Sequence, residues 1–314
     1  MAFLFVLPTW PADVWKAAMV KVAPELDVRI WPDTGRIEDI EYAAAWLPPA
    51  DVLKNLPNLK VIYSLGAGVD AILKDPTLPE NIPIVRVNDD DLTKRMTEYV
   101  VLHVLLHHRQ QRRIDANQKA RIWDSFPTHA ASALSVGIMG LGVMGRDSAL
   151  RLRDLGFRVA GWSRSRKAIE GVECFAGAGE FDQFLARTDV LVSLLPATAE
   201  TDGIINRTNI QKLSRKGPFG APSVINAGRG RQQVAEDILA CLESGELHAA
   251  TLDVFAVEPL PADSALWTHP KVTVTPHIAA DSDPEVICAY VHAQIKRHRA
   301  GQPLANLVDQ SRGY

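Results

Sequence analysis

Val136-Gly137-Ile138-Met139-Gly140-Leu141-Gly142-Val143-Met144-Gly145 decides how this chain is read. An apolar run, 135–139, ends in the triplet Gly140, Gly142 and Gly145, and a helix-like pattern follows from Ser148 to Leu155. Glycine at those three places permits a tight turn, lets backbone approach a pyrophosphate, and lets a helix pack closely on its strand. The triplet alone is common. Its place between a strand and a helix makes it a dinucleotide-binding turn.

The next apolar run, Arg158-Val159-Ala160-Gly161-Trp162, should end where an unphosphorylated ribose meets a carboxylate, about 20 residues past the glycines. The residues there are Ser163-Arg164-Ser165-Arg166-Lys167, with no Asp or Glu. Most basic runs are solvated loops. At this position guanidinium, ammonium and hydroxyl groups suit a ribose phosphate, so NADP(H) is expected in preference to NAD(H).

Further strand-like runs lie at 190–195, 223–227, 250–255 and 272–276, giving six strands for a doubly wound nucleotide domain. Before residue 100, runs at 2–7, 28–31, 43–47, 59–65 and 83–87 read as five short βα units. One long helix is expected from about Asp91 to Gln118, followed by a polar arm from Asp124 to His129, and a last helix from Pro284 to about Arg299 that packs back on the first domain. The expected class is α/β, with a doubly wound Rossmann nucleotide-binding domain at 101–279 and a smaller α/β substrate domain made of 1–100 and 280–314.

Composition narrows the function. Lys and Arg number 34 against 37 Asp and Glu, a net charge of −3, so no long-range field draws in nucleic acid. Cys174, Cys241 and Cys288 are odd in number and widely spaced, which suits a reducing compartment and neither a disulfide framework nor a zinc site. The opening apolar run is short and meets Pro8, so it reads as a buried strand and no membrane span is expected. His103 and His107, one helical turn apart on an apolar helix, read as packing or interface residues, and no metal is expected.

Three segments fall after strand runs, where a doubly wound sheet places its ligands: Ile225-Asn226-Ala227-Gly228-Arg229-Gly230, Leu252-Asp253-Val254-Phe255-Ala256-Val257-Glu258-Pro259 and Thr275-Pro276-His277-Ile278-Ala279. Singly, each ionisable side chain in them is ordinary; together they make a site. With them the chain resembles the D-isomer specific 2-hydroxyacid dehydrogenase family, most of all its glyoxylate/hydroxypyruvate reductase A type. The resemblance runs from Leu65-Gly66-Ala67-Gly68-Val69-Asp70 and Met96-x-Glu98-Tyr99 through Trp162-Ser163-Arg164-x-Arg166-Lys167 to Arg312-Gly313-Tyr314.

That resemblance implies a flavodoxin-like substrate domain and an NADPH-dependent reduction of small 2-oxo acids, glyoxylate to glycolate and hydroxypyruvate to D-glycerate. It implies Arg229 as substrate anchor, His277 as acid/base and Glu258 as its carboxylate partner. The cofactor would be met by Gly140, Gly142, Val143, Met144, Gly145, Ser163, Arg164, Ser165, Lys167, Leu195, Pro196, Ala227, Arg229, Asp253, His277 and Ala279. The substrate would be met by Trp46, Gly66, Ala67 and Gly68, together with Arg229 and His277. A homodimer joined through the nucleotide domain is also implied, with the crossing helix, the Asp124–His129 arm and Trp123 available for contact, and the cysteines suit a cytoplasmic location. Two other readings compete: a dinucleotide-sensing, corepressor-like interaction protein, and a reductase of a bulkier 2-oxo acid.

Overall fold

Continuous apolar runs become strands buried on both faces. The structure, a computed structural model, describes residues 1–66, 68–79, 81–87, 89–281 and 283–310; Ala67 and the terminal Arg312-Gly313-Tyr314 lie outside them. The chain divides into two units, Met1–Leu92 with Asp281–Tyr314, and Thr93–Ala280.

In the first unit, β1 (Ala2–Val6), β2 (Asp27–Ile30), β3 (Ile40–Ala45), β4 (Val61–Ser64) and β5 (Ile84–Arg86) form one parallel sheet in the order β2-β1-β3-β4-β5. This is the flavodoxin-like order. Alternation along β1 divides the core, with Phe3 and Phe5 entering one cluster and Ala2, Leu4 and Val6 the other. The expectation of five βα units is only partly met. A full helix, α1 (Ala12–Val22), links β1 to β2, but a 3-10 turn at Ile37–Asp39 precedes β3, and α2 (Asp70–Leu73) is a single turn. The segment between β2 and β3 contains Pro32 and Gly35 and is too short for the usual crossover helix.

The helix Pro284–Arg299 matches its expected bounds. Asp283 caps it by accepting from the amides of Glu285 and Val286, with Pro284 in the first turn. Ile287, Cys288, Val291 and Ile295 pack with Trp15 and Met19 of α1 in the first unit's core.

In the second unit the strands are β6 (Ser135–Met139), β7 (Arg158–Ser163), β8 (Glu173–Ala176), β9 (Val190–Ser193), β10 (Ser223–Asn226), β11 (Ala249–Leu252) and β12 (Val272–Val274). They are all parallel, in the order β12-β11-β10-β9-β6-β7-β8. This is the doubly wound Rossmann arrangement with a further strand at one edge. The expected six strands are therefore seven among the described residues. The missed one, β8, is a four-residue edge strand in which only Phe175 is buried, so it lacks the long buried apolar run of the central strands.

The long helix is also corrected. It breaks into α3 (Asp90–His108) and α4 (Gln111–Ala120), with Gln110 in the left-handed region at φ 54°. Helices α5 (Val143–Asp154), α6 (Phe181–Leu185), α7 (Arg207–Lys212) and α8 (Ala235–Ser244) complete the second unit. His107 is buried with its Nε2 3.0 Å from Thr251 Oγ1, and the His103 ring packs on Tyr99. No helix among the described residues is long and apolar enough to cross a membrane.

Ile295 is 1% exposed in the first unit's core. Ile295→Ala should lower the unfolding free energy by about 2–5 kcal/mol, read by urea denaturation.

Candidate active site

The dinucleotide turn sits at the carboxyl end of β6, where strand order reverses between β6 and β9. Its three glycines answer to different constraints. Gly140 has φ +99°, and its amide donates to Trp162 O at 2.8 Å, tying the turn to β7. A Cβ on Gly145 would stand 1.8 Å from Gly140 O, so close packing requires its absence. A Cβ on Gly142 would meet nothing within 4 Å. That open side, above an α5 N-terminus with no acidic residue in its first turn and no side-chain cap, fits a pyrophosphate. Val143 is exposed there, and Met144 packs on the core.

At the end of β7, Ser163 Oγ donates to Ser165 O at 2.8 Å, shaping the basic loop. Arg166 is taken up by Glu180 and the carbonyl of Cys174. Arg164, Ser165 and Lys167 are exposed. The loop after β9 is held from below by Gln232, which is fully buried. Its Nε2 donates to Leu195 O at 2.7 Å and Pro196 O at 3.1 Å, and its Oε1 accepts from Ser193 Oγ at 2.8 Å.

The expected catalytic residues come from the next three strand ends. After β10, the amide of Ala227 donates to Ser193 O, and Asn226 Oδ1 accepts from the amide of Gly228. Arg229 follows, with Nη1 donating to Gly228 O at 2.8 Å. Gly230 is what lets this loop lie against the next: a Cβ there would stand 1.9 Å from the carbonyl carbon of Phe255. Gln233 fastens the same contact, accepting from Asn226 Nδ2 at 2.8 Å and donating to Val254 O at 2.9 Å.

Glu258 Oε1 accepts from the Phe255 amide at 2.8 Å, and Oε2 lies 2.7 Å from His277 Nδ1. Burial alone would raise the Glu258 pKa. The hydrogen bonds from His277 and the Phe255 amide, with the charges of His277 and Arg229, outweigh that and hold it below the ordinary glutamate value. Arg229, Glu258 and His277 are thus brought together on one edge of the second unit's sheet. Asp253, buried, accepts from the amides of Ile278 and Ala279, each at 3.0 Å.

The other expected substrate residues belong to the first unit. Trp46 stacks on Trp10, with centroids 4.9 Å apart, and Trp10 stacks on Trp15 at 5.2 Å. A Cβ on Gly66 would stand 2.3 Å from the Trp46 ring, and Ser64 Oγ donates to Gly68 O at 2.8 Å. Ala67 lies outside the described residues.

Residues 101–279 match the family model described as "D-isomer specific 2-hydroxyacid dehydrogenase, NAD binding domain". The chain belongs to that family. It is an NAD(P)-dependent 2-hydroxyacid dehydrogenase. A glyoxylate/hydroxypyruvate reductase A of Yersinia enterocolitica is 38% identical over the whole of both chains. Among solved structures, an NADPH-dependent glyoxylate/hydroxypyruvate reductase of Sinorhizobium meliloti, in complex with NADP and sulfate, is 46% identical with a TM-score of 0.95, over 100% of this chain and 99% of that one. A D-isomer specific 2-hydroxyacid dehydrogenase of Xanthobacter autotrophicus, in complex with NADPH and MES, is 38% identical with a TM-score of 0.93, over the same shares.

Gln232 and Gln233 were not found from the sequence of this dehydrogenase. Uncharged amides between a strand and a helix give no periodic or charge signal, and their importance comes from the carbonyls that the loops turn toward them. Thr275 and Tyr99 sit within the motifs at 275–279 and 96–99, where their sequence neighbours indicate no role for them.

Two outcomes follow for this site. Gly142→Ala should keep the parent's melting temperature and weaken dinucleotide binding, whereas Gly145→Ala should lose about 1–3 kcal/mol of stability, as calorimetry with and without dinucleotide will show. Glu258, with its lowered pKa, contributes stability present above the unfolded glutamate value of 4.5 and lost as pH falls through the lowered one. Glu258→Gln should therefore lose less melting temperature than the parent between about pH 6 and about pH 3.

Proposed function

We propose that this dehydrogenase reduces small 2-oxo acids with NADPH, glyoxylate and hydroxypyruvate foremost, to the 2-hydroxy acids. The observation that carries the reading is the convergence of Arg229, Glu258 and His277 beyond the ends of β10, β11 and β12. The similarity to the reductases of Yersinia enterocolitica and Sinorhizobium meliloti supports it.

A dihydronicotinamide cofactor held at the Gly140–Gly145 turn would supply hydride to the 2-oxo carbon. Negative charge on the 2-oxo oxygen would then need a proton. Glu258 accepts from Nδ1 of His277, which leaves Nε2 to give that proton. The His277 side chain is 35% exposed, so solvent can reload it. Arg229 offers a planar fork to the substrate carboxylate and favours charge on the adjacent oxygen. Glu258 stays ionised at neutral pH and holds the imidazole's orientation. Trp46 and the Gly66–Gly68 turn are assigned to substrate binding, with the Trp10 stack keeping the Trp46 ring in one orientation.

The basic loop supports NADP(H) over NAD(H), since Ser163, Arg164, Ser165 and Lys167 stand at the β7 end without a carboxylate among them. The free thiols Cys174, Cys241 and Cys288 suit a cytoplasmic enzyme. Trp123, 98% exposed beside Ile122, favours a homodimer.

Glyoxylate mixed with protein and NADPH should bleach the nicotinamide absorbance; absence of turnover with every short 2-oxo acid would remove the reading. Arg229→Ala and His277→Ala should each lower kcat by about 100-fold or more, His277→Ala with NADPH affinity retained. Replacing Arg164 and Lys167 by Ala should raise the KM for NADPH about tenfold or more while leaving that for NADH nearly unchanged, in steady-state titrations with each coenzyme.

A further inference from the structure

A line of buried hydroxyls joins helix α3 to the backbone of His277. Asp253 is 1% exposed, and its Oδ1 accepts from Thr275 Oγ1 at 2.6 Å and from the Ile278 amide at 3.0 Å. Its Oδ2 accepts from the Ala279 amide at 3.0 Å, and its backbone carbonyl accepts from the His277 amide at 2.8 Å. Between these anchors His277 adopts φ +57°, a left-handed conformation unfavourable for a residue with a Cβ. Such a conformation persists only where its surroundings over-determine it.

Thr275 Oγ1 also lies 2.7 Å from Tyr99 Oη. A threonine hydroxyl has one proton, and here that proton goes to the carboxylate. Tyr99 must therefore be the donor to Thr275. Burial pushes the Tyr99 phenol pKa up, which keeps the donor proton in place. The Tyr99 ring packs on His103, centroids 4.2 Å apart, and burial lowers the His103 pKa to about 4, so this neighbour is neutral. A phenylalanine at 99 would fill the same space; only the hydroxyl distinguishes the two.

We propose that Tyr99 is a positioning residue, whose hydroxyl acts through Thr275 and Asp253 to hold the left-handed backbone of His277 and so aim its imidazole. The proposal rests on the reading of His277 as the proton donor, and it assigns to the hydroxyl of Tyr99 an effect on the proton-transfer step rather than on coenzyme binding. Small misplacements of a reacting group lower rates steeply.

The test uses the full chain labelled with 15N-histidine, with the His277 ring signal assigned by its loss in His277→Ala. Tyr99→Phe should shift that signal without substrate present, lower kcat for glyoxylate about tenfold, and leave the KM for NADPH within about twofold. Thr275→Val should do the same, and Thr275→Ser, which keeps the hydroxyl, should restore both signal and kcat. An unshifted His277 signal with parental kcat in Tyr99→Phe overturns the proposal. So does a Thr275→Ser variant as impaired as Thr275→Val. Should the parent reduce no 2-oxo acid, the functional reading fails, and the ring signal still decides the positioning claim.

Discussion

The parallel register of β10, β11 and β12 is the constraint on which the site depends. Asn226 pairs with Leu252, and Leu252 with Val274, so the three strands end at one level. The ladder continues one residue beyond, as the Asp253 amide donates to Asn226 O and the Thr275 amide to Leu252 O, each at 3.0 Å. Every chain segment that follows must leave the sheet from that shared edge. Arg229, Glu258 and His277, far apart in sequence, gather because parallel strands present their carboxyl ends on the same side.

Close backbone approach then determines how tightly these segments gather. Gly230 lets the Arg229 loop rest on the backbone at Phe255, and Gly145 lets α5 rest on the turn at Gly140. Gly142 differs, since no protein atom occupies the space a side chain would take. Two glycines are explained by packing and one by room left for a ligand, a distinction the spacing of the motif does not contain. Polar side chains complete the arrangement. Gln232, Gln233 and Asp253 are buried, and each satisfies loop groups that a folded interior could not otherwise leave unpaired.

Much of the architecture was legible because strands buried on both faces read as unbroken apolar runs; β1, β6 and β10 are examples, each with at most one residue not fully buried. The same rule hides β8, whose edge position leaves Glu173 exposed and only Phe175 buried. The break at Gln110 was invisible for another reason: neither Gly nor Pro stands at 109–111, and the polar run 107–113 around it is made of residues that a helix accepts. Asp283-Pro284, by contrast, announces a helix start through local chemistry alone, and the helix begins there.

Residue order alone carries the glycine turn, the basic loop at 163–167, and the presence of an Arg, a Glu and a His after successive strands, because motif chemistry and strand burial are local properties of the chain. Only the folded chain decides that His277 turns left-handed, that its Nδ1 meets Glu258, that Arg166 is taken up by Glu180, and that Tyr99 reaches Thr275. Those are contacts between residues remote in sequence. Their geometry is set by strand register and close packing, which no single stretch of sequence contains.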